Sequence, residues 1–262
     1  QGLTTTQLNA VGSDTLDAVD LTKLTNTQLL ALNTTTITAL SDTQVGTLTA
    51  AQIALLTTTD IATLTTTQIQ AFSTTQANAL TAKQLGALDN ATLAKLSTTE
   101  LSALTTAQTQ GLTTAQINAL STDNLDALAL NELSTSQLLG LTTTSVTNLS
   151  ATQVGTLTSA QVAALNSTDI GTLTSTEIQA FTTTQANALT AKQLGSLTTA
   201  VLGNFSTTQV AALSTTQVQG LTTTQLNAVG SDTLDAVDLS KLTTAQFSGL
   251  NSTAFAALSD TQ

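Results

Sequence analysis

From Leu64 the chain reads LTTTQIQA, FSTTQANA, LTAKQLGA, LDNATLAK, LSTTELSA, LTTAQTQG, LTTAQINA, an octapeptide written over and over without a gap. So short and regular a period specifies a repeat architecture before any other feature is weighed. The consensus L-[ST]-x-x-[QE]-[ILV]-x-[AG] carries a complete helix-start signal. In the octad at Leu64, Thr65 is a helix N-cap and Gln68 completes a capping box with it. Leu64 before the cap and Ile69 at the fourth helical position form a hydrophobic staple. Eight residues on, the next cap interrupts the helix just begun. The pattern predicts helices of roughly one to two turns, each followed by a sharp corner.

Other structures fit less well. A continuous α-helix advances about 80° per octad, so its apolar stripe would spiral around the axis. A β-solenoid is the alternative architecture, but it needs apolar residues at every second position. Here they fall at positions 1, 6 and 8. Disorder suits the Thr, Ser and Gln content but not 40% hydrophobic residues, regularly placed, in a chain without proline. The reading is an all-α repeat solenoid of very short helices. Positions 1 (Leu40, Leu48, Leu56, Leu64, Leu80) and 6 (Val45, Ile53, Ile61, Ile69, Leu85) are the expected core, and position 3 (Asp42, Ala50, Thr58, Thr66, Ala82) the expected outside.

A longer period is superposed. Residues 2–24 return as 220–242 with Thr22 replaced by Ser240, and the stretch from Ala71 returns 109 residues later from Ala180. Each unit is a run of octads plus five extra residues: Val19–Lys23, Leu128–Glu132 and Val237–Lys241. The organisation is therefore unit 1 at 2–110, unit 2 at 111–219 and a partial unit 3 at 220–262, forming one continuous solenoid. The pattern is under way at Gln1 and unfinished at Gln262, as in an excerpt of a longer chain. The pentads are expected to reset the phase of the rod, so that equivalent surfaces of successive units face the same way.

Composition excludes most chemistry. The chain has no His and no Cys, which removes imidazole bases, thiol nucleophiles and the usual zinc sites, and argues against an enzyme. Five basic residues against sixteen acids, a net charge of −11, argue against nucleic acid and anionic membranes as partners. No apolar run approaches a membrane span, and no cofactor motif is present.

The sharpest polar pattern is Asp14, Asp17 and Asp20, repeated as Asp232, Asp235 and Asp238. Carboxylates spaced by three could gather on Ca²⁺, or cap helices and face their dipoles. Between them Asp123 and Asp126 persist, with Ala129 at the third place. Asn33, Asn90, Asn148, Asn166, Asn204 and Asn251 head N-x-S/T sequons, a frequency near chance in so Thr-rich a chain. The position-5 glutamines (Gln44, Gln52, Gln68, Gln76, Gln84) could form a ladder between turns or fold back to their own caps. Phe72, Phe181 and Phe205 read as enlarged core residues, and Lys83 and Lys192 as solvated charges.

LTTTQIQA, LSTTELSA, LTTAQINAL and LSTTQVAAL resemble the low-complexity tracts of very large secreted bacterial surface proteins of the adhesin-like or type I-secreted kind. The resemblance implies an extracellular, cell-surface chain with a structural role and self-association into a homopolymer or fibre. An adhesin stalk or ligand-binding repeat is the alternative, with ice binding by the threonine rows an outsider. The calcium-binding nonapeptides of RTX-type chains are absent.

Overall fold

The computed structural model describes residues 2–259, without the side chains of Ser13 and Asp14. The described residues are helical throughout, with no strand among them, so the β-solenoid alternative is set aside. Among the described residues thirty α-helices of four to six residues and three 3-10 helices follow one another, one per repeat. Isolated helices this short are unstable in water. Their stability comes from caps at the corners and from stacking.

Each corner follows the octad. Leu64 is 4% exposed and its side chain enters the core, Thr65 is extended (φ −76°, ψ 163°), and the helix Thr66–Gln70 begins. The Thr65 hydroxyl accepts from the Gln68 N–H, and the Gln68 side-chain oxygen accepts from the Thr65 N–H at 2.8 Å. No residue among those described has a positive φ, so the corner needs neither glycine nor proline. Two extended residues between helices suffice. Positions 1 and 6 are buried at every expected place. At position 3, Asp42 and Thr58 are exposed, but Ala50, Thr66 and Ala82 are half-buried.

The chain forms two compact units, Gln1–Leu133 and Ser134–Gln262. Within each, a helix packs on the third element before it and the third after it. In the first unit, Ala82–Ala87 lies between Thr58–Ala62 and Thr106–Gly111. In the second, Ala191–Ser196 lies between Ser167–Thr172 and Thr215–Gly220. One turn of each solenoid is thus three helices, or three octads where no pentad intervenes. The leucines of position 1 and the branched residues of position 6 line the interior of each turn.

The pentads are shortened sides of this turn. Each holds a 3-10 helix, Leu21–Lys23, Leu130–Glu132 or Leu239–Lys241, that occupies the place of one α-helix. Asp42–Thr47 packs on Leu21–Lys23, and Leu130–Glu132 on Thr106–Gly111, both at the usual three-element spacing. This corrects the expected phase reset. Thirteen helices separate the two pentads of the first unit, so each pentad is the fourteenth element after the last. Fourteen is not a multiple of three, and the two pentads fall on different sides of the turn.

Stacked helices approach most closely where position 8 is glycine. A Cβ on Gly111 would lie 2.6 Å from both the Cβ and the carbonyl oxygen of Ala82, and one on Gly86 would lie 2.6 Å from the Gly111 carbonyl oxygen. Gly220, Gly195 and Ala191 repeat this contact in the second unit. Gly171, by contrast, has nothing within 4 Å of its added Cβ. Gly111→Ala should therefore force two turns apart and cost about 1–3 kcal/mol. Gly171→Ala should stabilise by about 0.5–1 kcal/mol through helix propensity. Denaturant unfolding of the two variants checks the opposite signs.

Candidate functional site

The position-5 side chains are where the repeats carry chemistry. Gln84 is 2% exposed. Its side-chain oxygen accepts from the Thr81 N–H at 2.7 Å, closing the capping box of its own helix. Its side-chain nitrogen donates to the carbonyl oxygens of Leu56 at 2.7 Å and Ile53 at 2.9 Å, at the end of a helix one turn back. One amide thus satisfies an orphan N–H at a helix start and the Leu56 carbonyl at a helix end, and adds a second donor to the Ile53 carbonyl, which already accepts from the Leu56 N–H. The two roles the sequence offered for these glutamines, ladder and cap, belong to the same side chain.

The arrangement recurs in both units. Gln68, Gln76, Gln108 and Gln116 donate to Leu40, Leu48, Leu80 and Leu88 at 2.7–2.8 Å. In the second unit Gln185, Gln209, Gln217 and Gln225 reach Leu157, Phe181, Leu189 and Leu197 at 2.6–2.8 Å. The partner lies 28 residues back in every case. Across a pentad the register shortens by three, and Gln246 reaches Leu221, 25 residues back, at 2.7 Å.

Where position 5 is not glutamine, other groups take part. In the octad of Asn33 the third helical residue is Thr36, and Asn9 from the preceding turn substitutes. Its oxygen accepts from the Asn33 N–H at 2.8 Å and its nitrogen donates to the Ala31 carbonyl. Asn227 does the same for the Asn251 N–H and the Gly249 carbonyl. In the last pentad the Lys241 ammonium donates to the Leu213 carbonyl at 2.7 Å, again 28 residues back.

Four rungs are acidic: Asp60, Glu100, Asp169 and Glu177, each no more than 7% exposed. The consensus grouped glutamate with glutamine, and so missed what separates them. A carboxylate keeps the acceptor for the cap but loses the two hydrogens for the turn beneath. Glu100 accepts from the Ser97 N–H at 2.7 Å, and Glu177 from the Thr174 N–H at 2.6 Å. Burial pushes the Asp169 carboxyl above the usual carboxylate range.

The candidate calcium ligands have different surroundings. Asp17 is exposed, and Asp20 accepts from the Thr22 N–H and hydroxyl and pairs with Lys23 at 3.1 Å. Hydrogen bonds from Thr22, then from Lys23, hold Asp20 below the usual range. Asp238 is lowered likewise, first by the Ser240 hydroxyl. Asp235 accepts from the Ser259 N–H at 2.9 Å, and Asp232 is exposed at a helix start. The side chain of Asp14 lies outside the described residues. Among those residues no three acids gather as a metal cluster would require.

The remaining expectations divide. Phe72, Phe181 and Phe205 are core residues, 3–5% exposed, and Lys83 and Lys192 face solvent. Of the six sequon asparagines, Asn33, Asn166 and Asn251 use their side-chain oxygens as helix caps and remain exposed. Among the described residues no helix is long and apolar enough to cross a membrane. Half-exposed Leu30 and Leu139, at equivalent places after the first two pentads, stand at a position 7 that is elsewhere polar, alanine or glycine. Sequence reading did not single them out, because the consensus leaves position 7 open.

Two substitutions test the ladder. Gln84→Leu leaves the Thr81 N–H and the Leu56 carbonyl bare, at about 1–3 kcal/mol for each buried orphan, while the Ile53 carbonyl keeps the Leu56 N–H. Loss of hydrogen-exchange protection at Thr81 should report it directly. Conversely, one carboxylate oxygen of Glu132 is buried and has no hydrogen-bond partner, at the place where Lys241 donates. Glu132→Lys should raise the thermal midpoint, and an unchanged or lowered midpoint would show that the orphan oxygen is not a cost.

The ALTTAQ repeat family model matches residues 53–90, 93–130 and 162–199, a tandem series within the octad tract. No curated protein matches the chain. The chain is thus similar to ALTTAQ repeats over those three segments, and its tandem-repeat character stands on sequence and structure alike.

Proposed function

We propose that the chain is a structural component of an extracellular or cell-surface filament or sheath of bacterial type, in which repeats supply length and regularly spaced lateral contacts. The observation that carries this reading is the amide ladder. Each turn is joined to the last by the same hydrogen bonds and the same leucine core, so turns can be added without a new design at each step. Near-identical octads also present equivalent surfaces at fixed intervals, as assembly into a polymer of identical chains requires. The low aromatic content, 2%, leaves little from which to build an adhesive pocket.

The experiment is electron microscopy of the purified chain over a concentration series, with protease shaving of intact source cells as the test of location. Ordered fibres that lengthen with concentration, and cleavage from the cell surface, are the expected results. A chain that stays monomeric at every concentration while retaining a soluble glycan or protein ligand would favour the adhesin-stalk reading.

A further inference from the structure

At Asn166 the ladder changes chemistry. Position 5 is Asp169, 2% exposed, where the next turn of the stack carries Gln193. Asn166 caps the helix Ser167–Thr172. Its oxygen accepts from the Asp169 N–H at 2.9 Å, and its side-chain nitrogen donates to one Asp169 carboxylate oxygen at 2.6 Å. By the ladder's register the acceptors for this rung are the carbonyls of Leu141 and Leu138, 28 and 31 residues back. Aspartate is one methylene shorter than glutamine. A groove opens at this place in the second unit, with Leu141, Thr143, Asn166, Asp169 and Lys192 on its walls.

An ionised carboxylate has no hydrogen for the carbonyl wall of that groove, whereas a neutral carboxyl has one. We propose that Asp169 is a proton-operated rung, joining Ser167–Thr172 to the preceding turn when neutral, directly or through one water, and releasing it when ionised. The helix packed on one side, Thr143–Thr147, carries no titratable side chain. The helix on the other side, Ala191–Ser196, carries Lys192, exposed at the groove wall. Along the chain, Ser159–Ala164 has no titratable group, and Ser175–Ala180 has Glu177, engaged with its own cap. Lys192 favours the ionised form and burial favours the neutral one. Burial prevails, and the carboxyl is raised. A group raised in the folded state contributes stability that is complete below its unfolded value and is lost as pH rises through the folded one. The rung therefore tightens on acidification.

The test is amide hydrogen exchange on the full chain, corrected for intrinsic rates, at about pH 7.5 and at about pH 3.5, below the unfolded carboxyl value. Protection across Ser167–Thr172 in the native chain should rise about tenfold on acidification for each unit by which the carboxyl is raised. Asp169→Asn, and Asp169→Gln, which restores the amide of the other rungs, should hold their protection level between the two pH values. Glu177→Gln should leave the native response in place. Parallel pH profiles for the native chain and both Asp169 variants would overturn the proposal. So would full protection of the native chain at pH 7.5 on adding Ca²⁺ alone, which would assign the groove to a cation instead of a proton.

Discussion

A side-chain amide that accepts from one turn and donates to another is the interaction on which everything else in these solenoids depends. A helix of five or six residues leaves most of its backbone groups outside its own hydrogen-bond pattern. A protein made only of such helices would carry a heavy load of unpaired N–H and C=O groups near its core. The position-5 glutamine meets that load from both ends, because its oxygen and nitrogen point to different helices. Leucine and isoleucine burial drives the turns together, but it is non-directional. The amide fixes which corner lies over which. Its acceptor is 28 residues away in turn after turn.

That bond also accounts for the corners' lack of special backbone conformations. Many helices end with a glycine in the left-handed region, which satisfies the last carbonyls from within the chain. Here no positive φ occurs among the described residues, and the helix ends turn directly into extended leucines. The carbonyl of the extended leucine is instead satisfied from the adjacent turn, while a carbonyl of the last helical turn also accepts the corner N–H. Glycine is left with a different task, the close approach of stacked helices at Gly86 and Gly111.

Much of this was legible in the octad. The cap at Thr65, the box with Gln68, the staple of Leu64 and Ile69 and the two buried positions all follow from interactions within about six residues of chain. Three helices per turn did not follow. An octad specifies its own corner, whereas the number of corners per turn emerges when leucines close a core and glutamines find acceptors. For the same reason position 3 was only half right: Ala82 looks outward within its own octad but meets Gly111 in the next turn. The aspartate triplets left calcium and capping both open. Asp20 and Asp238 accept from donors two residues on, as caps do, and Asp235 accepts from Ser259, 24 residues away. The acidic rungs were visible as residues but not as a distinct class, because a capping box treats an acid and its amide alike and only the turn beneath tells them apart.

The pentad shows how strictly the stack counts elements rather than residues. Removing three residues from an octad shortens one side and replaces its α-helix by a 3-10 helix, yet that helix still packs at the three-element spacing, with added contacts between helices four elements apart on either side of it. Gln44 on the helix above still reaches Leu16, 28 residues back, and also Val19 at the start of the pentad. What changes is the residue register of the next rungs, from 28 to 25, as at Gln246 and Leu221. A deletion that a continuous helix would feel as a shift of its whole apolar face is absorbed in a single side. The same logic holds at the acidic rungs. Because each turn is joined only to its neighbours, a weakened rung lowers stability where it stands and leaves distant turns as they were. Local variation in the strength of the ladder is therefore compatible with an unbroken fold within each unit, and a chain of near-identical turns can carry differences in strength from place to place without any difference in architecture.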